Sequence, residues 1–293
     1  MKKIIVLGSI SIDNVTYTNT IPGPGTTVYG ESFFSNIGGK GANQACQICY
    51  LGGDVIFYGS VGKDANGERV QKFLKEAGLT AILKFSECST GVASITIDNN
   101  TAENRIIIVP GSNMDITKAD IEKIKFENRD ITLLQLENPV ESIVYAMKKA
   151  KEHGLLVVLN PAPYNKVPKE AFQYIDFFIP NEHELEQFTP EVDGDFELRA
   201  KHLIKQGIKR VIVTLGEKGS LYVDEKESFI VMPHKVNAVD TTGAGDSYCG
   251  AFVTALSKDK SIKEAMEFAS KVSSITVTRK GAIASLPKLD ELK

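Results

Sequence analysis

The stretch ITLLQLENPVESIVYAMKKAKEHGLLVVLN, residues Ile131 to Asn160, decides the fold. Ile131 to Glu137 and Leu155 to Asn160 are mostly apolar runs of strand length. Between them Val140, Ile143, Val144 and Met147 recur at helical spacing, while Lys148, Lys149 and Lys151 take the other side. Pro139 stands near the start of that helix and Gly154 at its end. A strand apolar along its whole length has no wet face, so helices must cover both faces of its sheet. The alternation continues through a helix near Pro168, the strand Asp176–Asn181, helices to Gln206 and the strand Arg210–Gly216. The expected class is α/β, a three-layer α/β/α sandwich around a mostly parallel sheet.

Working back from this stretch, Lys2–Leu7 is a strand and Gly39–Leu51 a helix stopped by Gly52 and Gly53. Asp54–Gly62 is a buried strand, and Gly67–Ala77 a helix closed by Gly78. Two segments break the pattern by alternating. One is 12–37, around Pro22, Pro24 and Gly25, with Val28–Ile37 as a strand exposed on one face. The other is 90–110, with strands Gly91–Asp98 and Asn104–Gly111 about the turn Asn99–Glu103. These segments read as a small antiparallel lid sheet, on a core of 1–11, 38–89 and 111–293.

The 293 residues are 42% apolar and 24% charged, which suits one or two domains with a large core. The net charge of −3 argues against a nucleic-acid partner. No apolar run approaches a membrane span and the first residues run straight into a strand, so a cytoplasmic location is expected. Cys46 and Cys49 are spaced C-x-x-C inside a helix with no second pair, which reads as two core residues. The four histidines lack the spacing of a catalytic zinc site.

The chemistry concentrates in DTTGAGDSYCGAF, Asp240–Phe252. Gly243, Ala244 and Gly245 carry almost no side chain and open a helix, where unpaired N–H groups and the macrodipole favour a phosphate. Asp246 puts a carboxylate beside that anion hole, suited to orienting or deprotonating an attacking hydroxyl. A glycine-rich cap with an early-helix acid explains the same letters. Polar or glycine residues follow several apolar strands: Asp13, Glu137, Asn160, Asn181 and Gly216. Ligand crevices of such sheets lie at those strand ends. The first strand offers one glycine, so a dinucleotide fingerprint is missing. GGKGANQ lacks the leading glycine and the Ser or Thr of a Walker loop.

GGKGANQA (38–45), LNPAP (159–163), PNEHELE (180–186), TLGEKG (214–219), DTTGAGD (240–246) and VTRKGA (277–282) occur in this order, and with them the chain resembles the ribokinase family of sugar kinases nearly end to end. The resemblance implies ATP-dependent phosphorylation of the terminal 5-hydroxyl of D-ribose, with Asp246 as base. It implies sugar binding by Ser11, Asp13, Gly39, Lys40, Asn43 and Glu137. It places the nucleotide at Asn181, Thr214, Leu215, Gly216, Glu217, Lys218, Gly219, Gly245 and Ser270. Glu184, with Asn181, would order magnesium-bound water, although Asn at a helix start with an acid three residues on is also a capping arrangement. TLGEKG equally suits a tight turn between strands. A potassium loop is implied at Asp240, Thr242, Thr276, Arg279 (through its carbonyl), Gly281 and Ser285, for which a hydrogen-bonded loop is the alternative. The family's lid-to-lid homodimer is also expected, since FFSNI and SITI leave apolar residues on a thin sheet.

Two positions depart from the pattern. Ser11 stands where Asn is usual and Thr26 where Glu is common. Serine has one rotating hydroxyl where Asn could bond two sugar hydroxyls, so deoxyribose, another sugar or a nucleoside stays open as substrate. A catalytically silent sugar or nucleotide sensor is the alternative of another class. An NAD-dependent oxidoreductase lacks its fingerprint.

Overall fold

The computed structural model describes residues 2–101, 103–127 and 130–292; residue 102 of the expected turn Asn99–Glu103 lies outside them. In chain order the elements are β1 Ile4–Leu7, β2 Ser11–Thr18, β3 Ser32–Gly38, α1 Lys40–Tyr50, β4 Val55–Gly62, α2 Ala65–Glu76, β5 Thr80–Ser86, β6 Gly91–Asp98 and β7 Asn104–Val109. There follow α3 Lys118–Ile121, β8 Ile131–Leu134, α4 Val140–Glu152, β9 Leu156–Leu159, β10 Phe177–Phe178, α5 Glu182–Phe188, α6 Phe196–Lys205, β11 Val211–Thr214, β12 Ser220–Val223, β13 Ser228–Val231, α7 Ala244–Ser257 and α8 Ile262–Thr276.

Among the described residues the large sheet has nine strands in the order β13-β12-β11-β10-β9-β8-β1-β4-β5. It is parallel from β5 to β11 and antiparallel at β12 and β13. The side-chain period of two sorts β1 between two apolar layers. Ile4 and Val6 join the cluster built with α1, α2, α7 and α8, whereas Ile5 and Leu7 join the one built with α4 and α6. This is the expected three-layer α/β/α sandwich. The chain leaves β1 towards β4 on one side and returns to β8 on the other, so a crevice opens beyond the C-terminal end of β1.

The small sheet runs β3-β2-β6-β7. Its outer pairings, β2–β3 and β6–β7, are antiparallel as expected, but the central β2–β6 pairing is parallel because the two hairpins enter from the same side of the core. Where the chain leaves the core, the Asn113 side chain accepts from Ile10 N–H at 2.9 Å and donates to Ile10 C=O at 2.7 Å.

Other boundaries move for local reasons. β3 starts at Ser32, leaving Val28–Glu31 exposed and outside it. The second helix starts at Ala65, since the Asp64 carboxylate accepts from Gly67 N–H as an N-cap. The helix near Pro168 is a 3-10 segment, Lys169–Tyr174. The expected strand Asp176–Asn181 pairs only at Phe177–Phe178. β5, unread in the sequence, is an edge strand whose mixed pattern TAILKFS carries a weak apolar signal. Cys46 is buried in α1 as a core residue, and among the described residues no helix is long and apolar enough to cross a membrane.

Candidate active site

Gly243 is the N-cap of α7 with φ 77°, a left-handed value that favours glycine. The Ala244 N–H donates to the Thr241 carbonyl at 3.2 Å, while the N–H groups of Gly243, Gly245 and Asp246 find no partner among the described residues. A Cβ on Gly245 would meet nothing within 4 Å, so its backbone faces open space. The expected anion hole therefore keeps two of its three N–H groups free.

Asp246, only 6% exposed, lies in the first turn of α7. Its Oδ2 accepts from Asn43 Nδ2 at 2.8 Å and its Oδ1 from Gln44 Nε2 at 3.0 Å. Both donors sit on α1, which comes this close because Gly250 of α7 has no side chain: a Cβ there would be 2.9 Å from the Gln44 carbonyl oxygen. The Asn43 Oδ1 is buried and finds no hydrogen-bond partner among the described residues.

A cleft of about 190 Å³ joins Asp246 and Gly245 to Lys40, Asn181, Glu184 and Thr214. Burial alone would lower the Lys40 pKa, but the carboxylates of Asp246, Glu137 and Glu184 raise it, so its ammonium stays charged. Glu137 Oε2 accepts from the Lys40 backbone N–H at 2.9 Å and from the Ser9 hydroxyl, leaving Oε1 for a ligand. Asp13 has its pKa raised by burial and by the nearby Glu137 and Asp246 charges, against the lowering bond from Ser11. That bond runs from the Ser11 hydroxyl to Asp13 Oδ1 at 2.8 Å. The two glycines before α1 do different work. A Cβ on Gly38 would sit 2.0 Å from Asp13 Oδ2, and one on Gly39 would sit 2.7 Å from Ile10 Cα. Ser11, Asp13, Gly39, Asn43 and Glu137 thus surround one end of the Asp246 site without lining the cleft itself.

Asn181 and Glu184 form a complete capping box on α5, at 2.7 and 2.9 Å. They also line the cleft, and the capping box uses only Glu184 Oε2 and Asn181 Oδ1 of their polar side-chain atoms. The Glu184 pKa is raised, by burial first, with the Lys40 charge and the capping N–H opposing. Among the described residues no three His, Cys, Asp or Glu side chains gather as a direct metal cage. The pair fits a magnesium ion held mainly by phosphates and water, with protein carboxylates at the second sphere.

Thr214 lines the cleft, and Leu215 to Gly219 form the tight turn from β11 to β12, closed by Leu215 N–H to Gly219 C=O at 2.8 Å. Gly216, Glu217 and Lys218 are exposed. Ser270 lies away from the cleft, buried on α8, with its hydroxyl 3.5 Å from the Met232 carbonyl. Beside it the loop after β13 exposes Met232 (71%), Val236 (43%) and Val239 (59%), an apolar shelf.

Asp240 fastens its loop, accepting from Thr242 N–H and Gly281 N–H, both at 2.9 Å. Its pKa is lowered by these bonds in spite of burial. The hydroxyls of Thr276 and Ser285 bond to Val272 and Ala282 carbonyls. The carbonyls of Asp240, Thr242, Arg279 and Gly281 accept no hydrogen bond among the described residues, so oxygens for a monovalent cation are at hand.

The sequence reading missed Ser9, Gln44, Gln135, Thr241 and Cys249, all at the site or one contact from it. Gln44 had a usable signal: it lies four residues after Lys40 and so shares its helix face.

A model of the pfkB family of carbohydrate kinases matches residues 1–289. The chain is 37% identical to the ribokinase of Lactococcus lactis over 297 residues, covering 100% of this chain and 96% of that protein. It is 35% identical to the deoxyribokinase of Salmonella typhimurium over 296 residues, covering 98% and 96%. The crystal structure of Thermotoga maritima ribokinase superposes with a TM-score of 0.92 at 37% identity, covering 100% of this chain and 98% of that one. Arabidopsis thaliana ribokinase, solved with ribose and ATP, superposes with a TM-score of 0.89 at 31% identity, covering 99% and 97%.

Proposed function

The chain belongs to the pfkB family of carbohydrate kinases, and from that premise we propose that it transfers the terminal phosphoryl group of ATP to the 5-hydroxyl of D-ribose, with Asp246 as the base. The observation that carries this reading is the Asp246 carboxylate, held by two amides at the start of α7, in one cleft with Lys40 and the free N–H of Gly245.

A sugar hydroxyl set against Asp246 gives up its proton there while its oxygen attacks the γ-phosphorus. The bond to the ADP oxygen breaks in line with the attack. Phosphoryl transfer is loose and the proton leaves late, so the main demand on the base is orientation. A positioned base is worth about 10²- to 10⁴-fold. Charge on the moving phosphoryl oxygens meets the N–H groups of Gly243 and Gly245, the positive end of α7 and the Lys40 ammonium. Asp13, Asn43 and the free oxygen of Glu137 bond the sugar hydroxyls. The adenine lies on the shelf of Met232, Val236 and Val239, near Ser270. Magnesium bound to the phosphates supplies charge neutralisation, with Asn181 and Glu184 ordering its water. Potassium sits at the Asp240 loop and keeps the neighbouring anion hole in shape. β7, with Ile106 to Val109 all about half exposed or more, meets a second copy lid to lid.

One observation favours a second substrate. The single Ser11 proton is spent on Asp13, so Ser11 cannot also donate to a sugar hydroxyl. A sugar short of one hydroxyl, such as 2-deoxyribose, loses less here than ribose does.

The test is initial-rate ATP turnover, with magnesium and potassium, on D-ribose, 2-deoxyribose, fructose and a nucleoside. Ribose should have the highest kcat/KM. A clear preference for 2-deoxyribose assigns the site to the second reading, and absence of turnover on any of them leaves a sensor. Asp246→Asn should keep sugar binding and lose about a hundredfold or more in kcat; near-parental turnover would reject the base.

A further inference from the structure

Four amide side chains meet behind Asp246, and their orientations are forced. The Ile179 carbonyl can only accept, so Asn160 turns its Nδ2 to it, at 2.9 Å. The Asn160 Oδ1 therefore demands a donor, which is Gln44 Nε2 at 3.0 Å. The same Gln44 nitrogen gives its second proton to Asp246 Oδ1, also at 3.0 Å. Gln44 Oε1 in turn accepts from Gln135 Nε2 at 2.5 Å. The neighbouring Asn43 amide holds the other carboxylate oxygen. Gln44 and Gln135 are both fully buried, and Asn160 is 7% exposed.

Burial of this kind is costly, because each amide left unpaired would lose about 1–3 kcal/mol. Gln135 pays part of that cost: its own Oε1 has no partner, and Gly8 must lack a side chain to admit it, since a Cβ there would lie 2.0 Å from that oxygen. An apolar residue at 135 would avoid that loss but would leave the Gln44 Oε1 without its donor. What Gln135 does is fix which way the Gln44 amide faces. Were Gln44 to flip, its carbonyl oxygen would confront the Asp246 carboxylate and the Asn160 oxygen.

We propose that Gln44 is a positioning residue for Asp246, and that Gln135 and Asn160 act through it as an amide relay that fixes the carboxylate in its reactive pose. The proposal rests on the reading of Asp246 as the base. The relay joins three strand ends, β8 through Gln135, β9 through Asn160 and β10 through Ile179, to the carboxylate at the start of α7. The Asp246 carboxylate is thereby held from α1, with the strand ends behind it, rather than by its own helix. A misplacement of about 1 Å at a reacting group can cost about a hundredfold in rate.

The experiment compares Gln44→Met, Gln135→Met, their double variant and Asp246→Asn, using the sugar preferred in the panel above, with thermal unfolding to confirm the fold. Gln44→Met should lose about tenfold to a hundredfold in kcat while the sugar KM moves less than about threefold. Gln135→Met, which touches neither Asp246 nor the sugar, should lose about threefold to tenfold in kcat. The double variant should be no slower than Gln44→Met alone, because both changes break one chain. If Gln44→Met does not fold, Gln135→Met carries the test, and its crystal structure should show the Asp246 carboxylate turned from its present pose. The relay is overturned if Gln135→Met keeps parental kcat and an unmoved Asp246, or if the two losses multiply, while Asp246→Asn is inactive. An active Asp246→Asn overturns instead the base reading on which the relay stands.

Discussion

Replacing Gly245 by alanine separates function from fold. The added Cβ would meet no atom within 4 Å, and Gly245 has no positive φ, so the folded protein has room and conformation for it. Alanine exceeds glycine in helix propensity by about 1 kcal/mol in a helix interior, and by less in a first turn. The expected stability change therefore lies between nothing and about 1 kcal/mol upward, or about 0–3 °C in Tm for a chain of this size. The open space is, however, the cleft that Asp246 and Lys40 share. A methyl group there holds a phosphoryl oxygen off the Gly245 N–H. Loss of one such donor costs about 10²- to 10³-fold in kcat. Gly243→Ala is the control, because φ 77° makes that substitution cost about 1–2 kcal/mol by itself. The assay is coupled ADP release at saturating sugar and ATP, beside differential scanning calorimetry. Parental kcat in Gly245→Ala would refute phosphate binding at this N–H. A Tm drop of several degrees would refute the account of local packing.

Gly38→Ala forces its Cβ against Asp13 Oδ2, 2.0 Å away, so the carboxylate must swing off Ser11; the sugar KM should rise about tenfold or more with kcat little changed, as initial rates against sugar concentration would show. Asp176, 2% exposed and bonded by Lys151 and Lys209 at 2.7 Å each, has its pKa lowered by those ion pairs in spite of burial. Because the folded value is depressed, its contribution is complete above the unfolded value of about 3.9 and is lost as pH falls through the folded value. Asp176→Ala should therefore cost about 2–4 kcal/mol at pH 7 and a shrinking amount below pH 4, read from urea unfolding at several pH values. Replacing potassium by tetramethylammonium should lower kcat of the parent, and Asp240→Ala should remove that difference; equal parental rates in both salts would exclude a cation at the loop. Ile107, 70% exposed on β7, should support the dimer, so Ile107→Glu should sediment as a monomer where the parent sediments as a dimer.

The three-layer sandwich was legible because two physical periods are written in the residues themselves. Ile131–Leu134, apolar but for Thr132, and Leu156–Leu159, apolar throughout, have no wet face, and Ile143 and Met147 repeat at helical spacing between them, as a buried parallel sheet requires. The glycine-opened start of α7 was legible for a similar reason: Gly243 and Gly245 change the backbone locally, wherever they end up in space. β5 was not legible, since an edge strand buries one face incompletely and its pattern mixes exposed and half-buried residues. Nor was the parallel β2–β6 pairing, because either pairing presents the same alternation on each strand.

What the sequence by itself determined about this protein is the layer architecture, the strand ends at which a ligand crevice must open, and the chemical types gathered there: Asp13, Lys40, Glu137, Asn181 and Asp246. Only the tertiary structure decided which of these touch. Asn43 and Gln44 reach Asp246 across more than two hundred residues of chain, and they do so because Gly250 lets α1 and α7 approach. Hydrogen bonds of this kind depend on distances of a few tenths of an ångström between elements remote in sequence, and no local period or propensity encodes such a distance.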